Sequence, residues 1–586
     1  MVLAPVAYMS MFTGFHAYDD EGYYLANLGD YMSGHPLLTQ YAQVYGPFFY
    51  EVVGGLFKLL GLAADNDSGR LVTAAIWVLA SLGGGLVAFR LSGNLWLGLT
   101  SLVLTFGVLA VLTNEPMSTY GLSELLFLGL AAAACFRSAR PRATAASIGA
   151  IVGALCLIKI NVGAFAAVAV AFAWAGSLSD RWRRLLFPAM LVVITAVPVL
   201  LMFPLLTTGW VLEFALLVSL AAAALGVASV GVSPRSLPAP SLMWIAGGGA
   251  ALVLVSIAIA LAGGTRPVDA WQGMVVLPLR FPRLFTLPVR LNPGYDAVAA
   301  LSFAAALIAS IRRSVAVSPA TRGVARVGVG LFMWLSMLFM PDSTFLLALP
   351  LAWVATRAPD TGGDDTVGPY ARLLLPVLAV LESLQPYPIA GSQLSMAALG
   401  LIPVGAIVLG DGVRQLRSLG ATIRTVSWVA PAALVINVTV FLLFALTVIA
   451  GFRSDTALGL RGAGSVRLPA QSAAQLRELV AAVDRNCSSF VTFPGMDSLY
   501  IWTAQQPPTP VRAEVWWLVL DANQQQSLVQ QLAARPRLCV IKNQRTVDMW
   551  SQGGAQPTGP LVSFIDQEFV DDSSYGDYEL LVRGGP

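Results

Sequence analysis

Fifteen apolar stretches partition this chain, at 2–15, 71–89, 94–112, 121–136, 143–158, 161–176, 185–206, 211–232, 242–262, 297–311, 324–340, 343–356, 371–384, 394–410 and 428–450. A helix that crosses a bilayer takes about 20 apolar residues, and several of these stretches are shorter. Only 11% of the residues are charged, against about 25% in soluble domains. The chain therefore reads as a polytopic α-helical membrane protein of about 15 spans. The first stretch, Val2 to Phe15, is short for a crossing, which suggests a natural start upstream. Residues 1–16 lack the basic segment of a cleavable signal. A formal charge of +3 gives no electrostatic footprint for nucleic acid.

Arginine sets the sidedness. The groups Arg137/Arg140/Arg142, Arg181/Arg183/Arg184, Arg312/Arg313/Arg322, Arg357 and Arg414/Arg417/Arg424 fall in connections of one parity. The positive-inside rule makes those connections cytoplasmic, together with the N-terminus. The other parity faces outward from the cytoplasmic (inner) membrane: 17–70, 113–120, 263–296, 385–393 and everything from 452. From about 465 the composition changes. LPAQSAAQLRELVAAVDRN and ANQQQSLVQQLAARPR have helical spacing, while CSSFVTFPG, SLYIWT and LCVIKN read as strands. The expectation is a membrane domain, 1–451, followed by an extracytoplasmic α/β domain, 452–586. Cys135 and Cys156 lie in apolar helices as small core residues. An extracytoplasmic setting permits a Cys487–Cys539 disulfide, but sequence does not supply its geometry.

The charges that remain are concentrated on the outer side. Asp19-Asp20-Glu21 follows the first apolar stretch directly. One carboxylate at the centre of a spanning helix costs roughly 2.5–3.5 kcal/mol, so this run belongs at the membrane surface. Three adjacent negative charges also repel one another unless a cation, a metal or a proton-accepting task offsets them. Asp19 also suits the cap of a helix starting near Gly22, and Glu21 a partner for its dipole. In the same loop, YGPFFYEVVGGLFKLLGL reads as a helix lying in the interface. Lys159 sits in the only polar break of an apolar hairpin, where it serves as a phosphate ligand or snorkels from a helix end. Arg266, Arg280, Arg283 and Arg290 are outer cations for a phosphate or for lipid headgroups. Glu124 lies one turn inside a span, where an unpaired acid is expensive. His16 and His35, far apart among aromatics, read as interfacial. The turn from Gln385 to Gln393, stiffened by Pro386 and Pro388, lines an entrance or is simply a tight turn.

Asp20-Glu21-Gly22-Tyr23-Tyr24 after a short first span, followed by Tyr45-Gly46-Pro47-Phe48-Phe49-Tyr50, resembles the GT-C glycosyltransferases. The protein O-mannosyltransferase and aminoarabinose-transferase branches are the most similar in this respect. The resemblance covers the first 180 or so residues and extends beyond them only in architecture. It implies a GT-C-like membrane fold and transfer of a sugar from a polyprenyl-phosphate donor to an extracytoplasmic glycan, lipid or protein. It makes Asp20 the catalytic base, with Glu21 its partner and Asp19 in support. Lys159, Arg280, Arg283 and Arg290 would hold the donor phosphate. Tyr45, Glu124, Tyr387 and Gln393 would meet substrate, and Asp19, Glu21 and Glu124 would hold a divalent cation, Mg or Mn. The rival readings are a flippase for a lipid-linked saccharide, which needs polar residues at mid-depth in the spans, and a non-catalytic scaffold presenting the soluble part.

Overall fold

The computed structural model describes residues 2–38, 45–135, 140–178, 180–230, 241–292, 294–311, 318–359, 367–419, 423–512, 515–552 and 556–584. All fifteen apolar stretches are helical there. Among the described residues, nine helices are long and apolar enough to cross a membrane. Leu3–Phe12, Thr119–Cys135, Ile160–Gly176, Tyr295–Ile311 and Thr344–Thr356 are shorter apolar helices, and 371–384 forms most of Pro369–Glu382. The helices are arranged around Leu394–Ser418, whose whole apolar stretch is buried. Arg181–Leu205, Ser241–Ala262 and Ser427–Ser454 are mostly uncovered, as suits helices that face lipid.

Basic side chains collect at one end of the bundle and fasten helix ends to one another. Arg326 donates to the Arg357 carbonyl (2.9 Å) and Arg414 to the Ser92 carbonyl (2.9 Å). Arg372 and Asp411 form a buried pair at 2.7 Å. Arg137, Arg312 and Arg313 lie outside the described residues.

The acidic loop occupies the opposite end. It forms the helix Asp20–Met32, and Pro47–Leu60 follows with proline at its first position. The Gly46 N–H donates to the Ile158 carbonyl at 3.1 Å. A Cβ on Gly46 would meet the Leu157 oxygen at 2.0 Å, so only glycine allows this approach. The Tyr-Gly-Pro stretch thus clamps the end of the helix Pro141–Ile158, immediately before Lys159.

Beyond residue 455 the chain builds a four-stranded mixed sheet. Ser489–Phe493 runs parallel to Leu538–Asn543, which pairs antiparallel with Tyr578–Arg583. Phe569–Tyr575 pairs antiparallel with Tyr578–Arg583 at the edge. Ala470–Asn486 and Ala522–Ala533 are helices, as their spacing predicts. SLYIWT is not a strand but the helix Ser498–Thr503. Cys487 and Cys539 are bonded. This region docks on the acidic loop: Trp502 donates to Asn66 (2.9 Å), Ser465 to Asp67 (3.0 Å), and Arg512 pairs with Asp30 (3.1 Å). Both therefore lie at the same end of the bundle.

Candidate active site

The three carboxylates of the acidic run go to three different places. Asp19 is buried and caps the helix Asp20–Met32. Its Oδ1 accepts from the Gly22 N–H (2.9 Å) and the Ser498 hydroxyl (2.7 Å), and its Oδ2 accepts from the Ser498 N–H (2.6 Å). A Cβ on Gly22 would meet the Ser498 nitrogen at 2.2 Å, so the Asp-Glu-Gly sequence is also a docking site for the sheet region. Glu21 is buried too. Its two oxygens accept from Arg70 Nε (2.8 Å) and Nη2 (2.7 Å), while Arg70 Nη1 reaches the Met11 carbonyl (2.7 Å) and the Gly14 carbonyl (2.9 Å). These two carboxylates fasten the loop. Asp19→Ala should therefore act on stability, because it strands three donors that each cost about 1–3 kcal/mol when buried and unsatisfied. Limited proteolysis and thermal unfolding should show the region after 455 loosened, by about 3 kcal/mol or more. Unchanged unfolding would remove the anchoring role.

Asp20, by contrast, begins the helix with its side chain half-buried and turned toward a second group of residues. It lies within electrostatic reach of Tyr18, Tyr120 and Lys159. Lys159, in the break between Pro141–Ile158 and Ile160–Gly176, donates to the Tyr120 hydroxyl. Burial pushes its ammonium down to about 8, against the pull of Glu115 and Asp20. Burial pushes the Glu115 carboxyl up, opposed by the Ser392 hydroxyl and by Lys159. Glu115 stands on a loop with left-handed backbone at Asn114 (φ 35°) and Met117 (φ 54°), a conformation that costs free energy and gathers at functional sites. A π-turn, Leu109–Thr113, precedes it. Glu124, one turn into its helix and fully buried, accepts from Thr113 (2.7 Å), with Ser395 beside it. Gln393 reaches Tyr120 and sits at the start of the most buried helix of the bundle.

Five chain segments thus converge on Asp20, Glu115, Tyr120, Glu124, Lys159 and Gln393. Sequence reasoning singled out four of these and placed Glu115 only within the outer segment 113–120. It missed Tyr120, although Tyr120 stands four residues before Glu124 on the same helical face.

Other expected residues lie around this group or apart from it. Tyr45 packs on Tyr24 (ring centres 5.0 Å apart) beside the clamp at Gly46. Tyr387 turns into the core near Trp210. Arg266 is paired with Asp269 (2.7 Å). Arg280, Arg283 and Arg290 are exposed. Their segment is tied to the 386–393 turn, since Leu287 N–H donates to the Pro388 carbonyl (3.0 Å) and Ala390 N–H to the Leu287 carbonyl (2.9 Å). Arg283 also lines a cleft of about 530 Å³ with Trp517 and Trp550. The expected metal set is not assembled. Asp19 and Glu21 give their oxygens to Ser498, Gly22 and Arg70, and Glu124 bonds Thr113 within the Glu115–Tyr120 group rather than joining those two carboxylates. Among the described residues no three His, Cys, Asp or Glu are grouped to hold a metal ion.

No protein-family model and no curated protein matches the chain. Two solved structures of the oligosaccharyltransferase AglB from the archaeon Archaeoglobus fulgidus are similar to it. The one in complex with an inhibitory peptide and a dolichol-phosphate aligns at 12% identity and a TM-score of 0.39, covering 99% of this chain and 73% of that one. The one tethered to an acceptor peptide containing the NVT sequon aligns at 12% identity and a TM-score of 0.43, covering 100% and 74%. A likeness of this degree assigns no family.

Proposed function

We propose that the chain is a membrane glycosyltransferase that moves a sugar from a polyprenyl-phosphate donor to an acceptor hydroxyl on the outer face. The observation that carries this reading is a half-buried carboxylate, Asp20, within electrostatic reach of a half-buried ammonium, Lys159, at the end of the bundle opposite Arg326, Arg357 and Arg414. Asp20 takes the proton from the acceptor hydroxyl as that oxygen bonds to the sugar's anomeric carbon. The bond from that carbon to the phosphate oxygen breaks, and polyprenyl phosphate leaves with the electron pair. A single displacement inverts the anomeric centre. Lys159 neutralises the charge that grows on the departing phosphate, which is where a fixed cation lowers the barrier. Arg283 and Arg290, on the segment tied to the 386–393 turn, meet the phosphate as it enters from the lipid. Gln393 and Tyr120 orient the sugar. Glu115, whose carboxyl burial pushes up to about 7, shares the Lys159 charge.

The division at residue 452, the inward N-terminus and the outward sheet region belong to the same reading, as does the inner membrane. The bonded Cys487 and Cys539 suit an oxidising compartment. Glu382 and Glu124 lie toward helix ends rather than at mid-helix, and Arg372 pairs with Asp411, so among the described residues these charged groups do not make the polar track through the spans that a flippase requires. A polyprenyl-phosphate sugar carrying a photoactivatable group on the sugar should label peptides containing Lys159 and Gln393. Labelling confined to the lipid-facing helices Ser241–Ala262 and Ser427–Ser454 would overturn the assignment.

A further inference from the structure

A cleft of about 880 Å³ opens between the strap that leads into Asp20 and the sheet region. This is the size range of ligand sites, about 300–1,000 Å³. On one wall His16 and Tyr18 stack, with ring centres 5.0 Å apart and planes 15° from parallel. On the other stand Gln471, Ser472 and Gln475 from the helix Ala470–Asn486. The two charges at the rim, Arg545 and Asp577, pair at 3.2 Å and cancel. The strap brings the cleft wall to the edge of the reaction centre: Tyr18 lines the cleft, stands two residues before Asp20, and lies within electrostatic reach of Asp20 and Glu115.

From these features we infer that the acceptor is a neutral oligosaccharide, held in this cleft with its reactive hydroxyl passing Tyr18 to Asp20. The inference rests on the glycosyltransferase reading and names its acceptor class. Amides and hydroxyls both donate and accept, as sugar hydroxyls require. The flat aromatic pair offers an apolar face for a pyranose or furanose ring. Cancelled charges give no hold on a phosphate or a carboxylate. A peptide held by strand addition would need a free strand edge to pair with. The cleft offers instead the turn Gly576–Tyr578, which joins two strands already paired with each other.

The test uses the full chain in nanodiscs and neutral gluco-, manno-, galacto- and arabino-hexasaccharides, with binding followed by saturation-transfer NMR. At least one should bind. In the triple variant His16→Ala/Gln471→Ala/Gln475→Ala its affinity should fall at least about tenfold, the worth of one or two neutral hydrogen bonds and a ring face. Asp20→Asn should bind it as wild type does. Binding to none of the four, equal binding by the triple variant, or binding only of peptides would overturn the cleft assignment. Oligosaccharide binding that survives while no polyprenyl-phosphate sugar is ever consumed would instead sink the glycosyltransferase reading and leave the cleft standing.

Discussion

Asp20→Asn should fold normally and transfer sugar at least about 100-fold more slowly. A general base typically contributes 10²–10⁴-fold, or roughly 3–5 kcal/mol of the barrier. Asparagine keeps the size and hydrogen-bonding capacity of aspartate but cannot take a proton at neutral pH. The folding cost is small for two reasons. Asp20 fills the first position of the helix Asp20–Met32 while Asp19 supplies the cap, so the cap is untouched and the dipole interaction lost is worth about 0.3–1 kcal/mol. Removing the charge also relieves repulsion from the other acids nearby. Thermal unfolding measured beside the rate separates the two effects. Near-wild-type turnover by a folded Asp20→Asn protein would remove the base from this centre.

Lys159→Met should lower kcat/KM for the donor about 10²–10³-fold, the effect typical of removing one group that stabilises charge in the transition state. Part of the loss belongs in the donor KM, because a charge-assisted hydrogen bond to a phosphate is worth about 1.5–3 kcal/mol. The wild type carries a pH signature of the same group. Burial holds the Lys159 ammonium down at about 8, so the cation is present below that pH and is lost as pH rises through it. Donor use should therefore fall above about 8. Lys159→Arg, which stays charged throughout, should lose that alkaline limb even if its peak rate is lower. Unchanged donor kinetics in a folded Lys159→Met protein would mean that the side chain only fills space at a helix end.

Much of this was legible in the sequence, and the reasons for the misses are specific. Apolar length predicts the helices because the bilayer leaves few alternatives. Asp20, Glu124, Lys159 and Gln393 were visible because charge and amide are rare in such a chain. The cap at Asp19 was visible, but the docking bond of Asp19 and the ion pair of Glu21 were not, because they are decided by partners distant in sequence. Ser498 lies 479 positions from Asp19, and Arg70 lies 49 from Glu21. The same contact explains SLYIWT. Six residues of mixed propensity do not choose between strand and helix, and the Ser498 N–H that meets Asp19 lies at the first turn of a helix. The expected metal set failed for the same reason, since neighbouring carboxylates need not point the same way. The hairpin Phe569–Arg583 carried a readable sign in Tyr575-Gly576-Asp577, where Gly576 adopts φ 66°.

The most direct test follows the fate of the donor. Purified full-length protein is reconstituted into liposomes with a panel of polyprenyl-phosphate sugars labelled separately in the sugar and the phosphate. Acceptor-dependent release of polyprenyl phosphate, equal in amount to the sugar transferred and abolished by Asp20→Asn, is the result predicted here. Movement of the intact labelled donor from one leaflet to the other, with no cleavage and no dependence on Asp20, would contradict it.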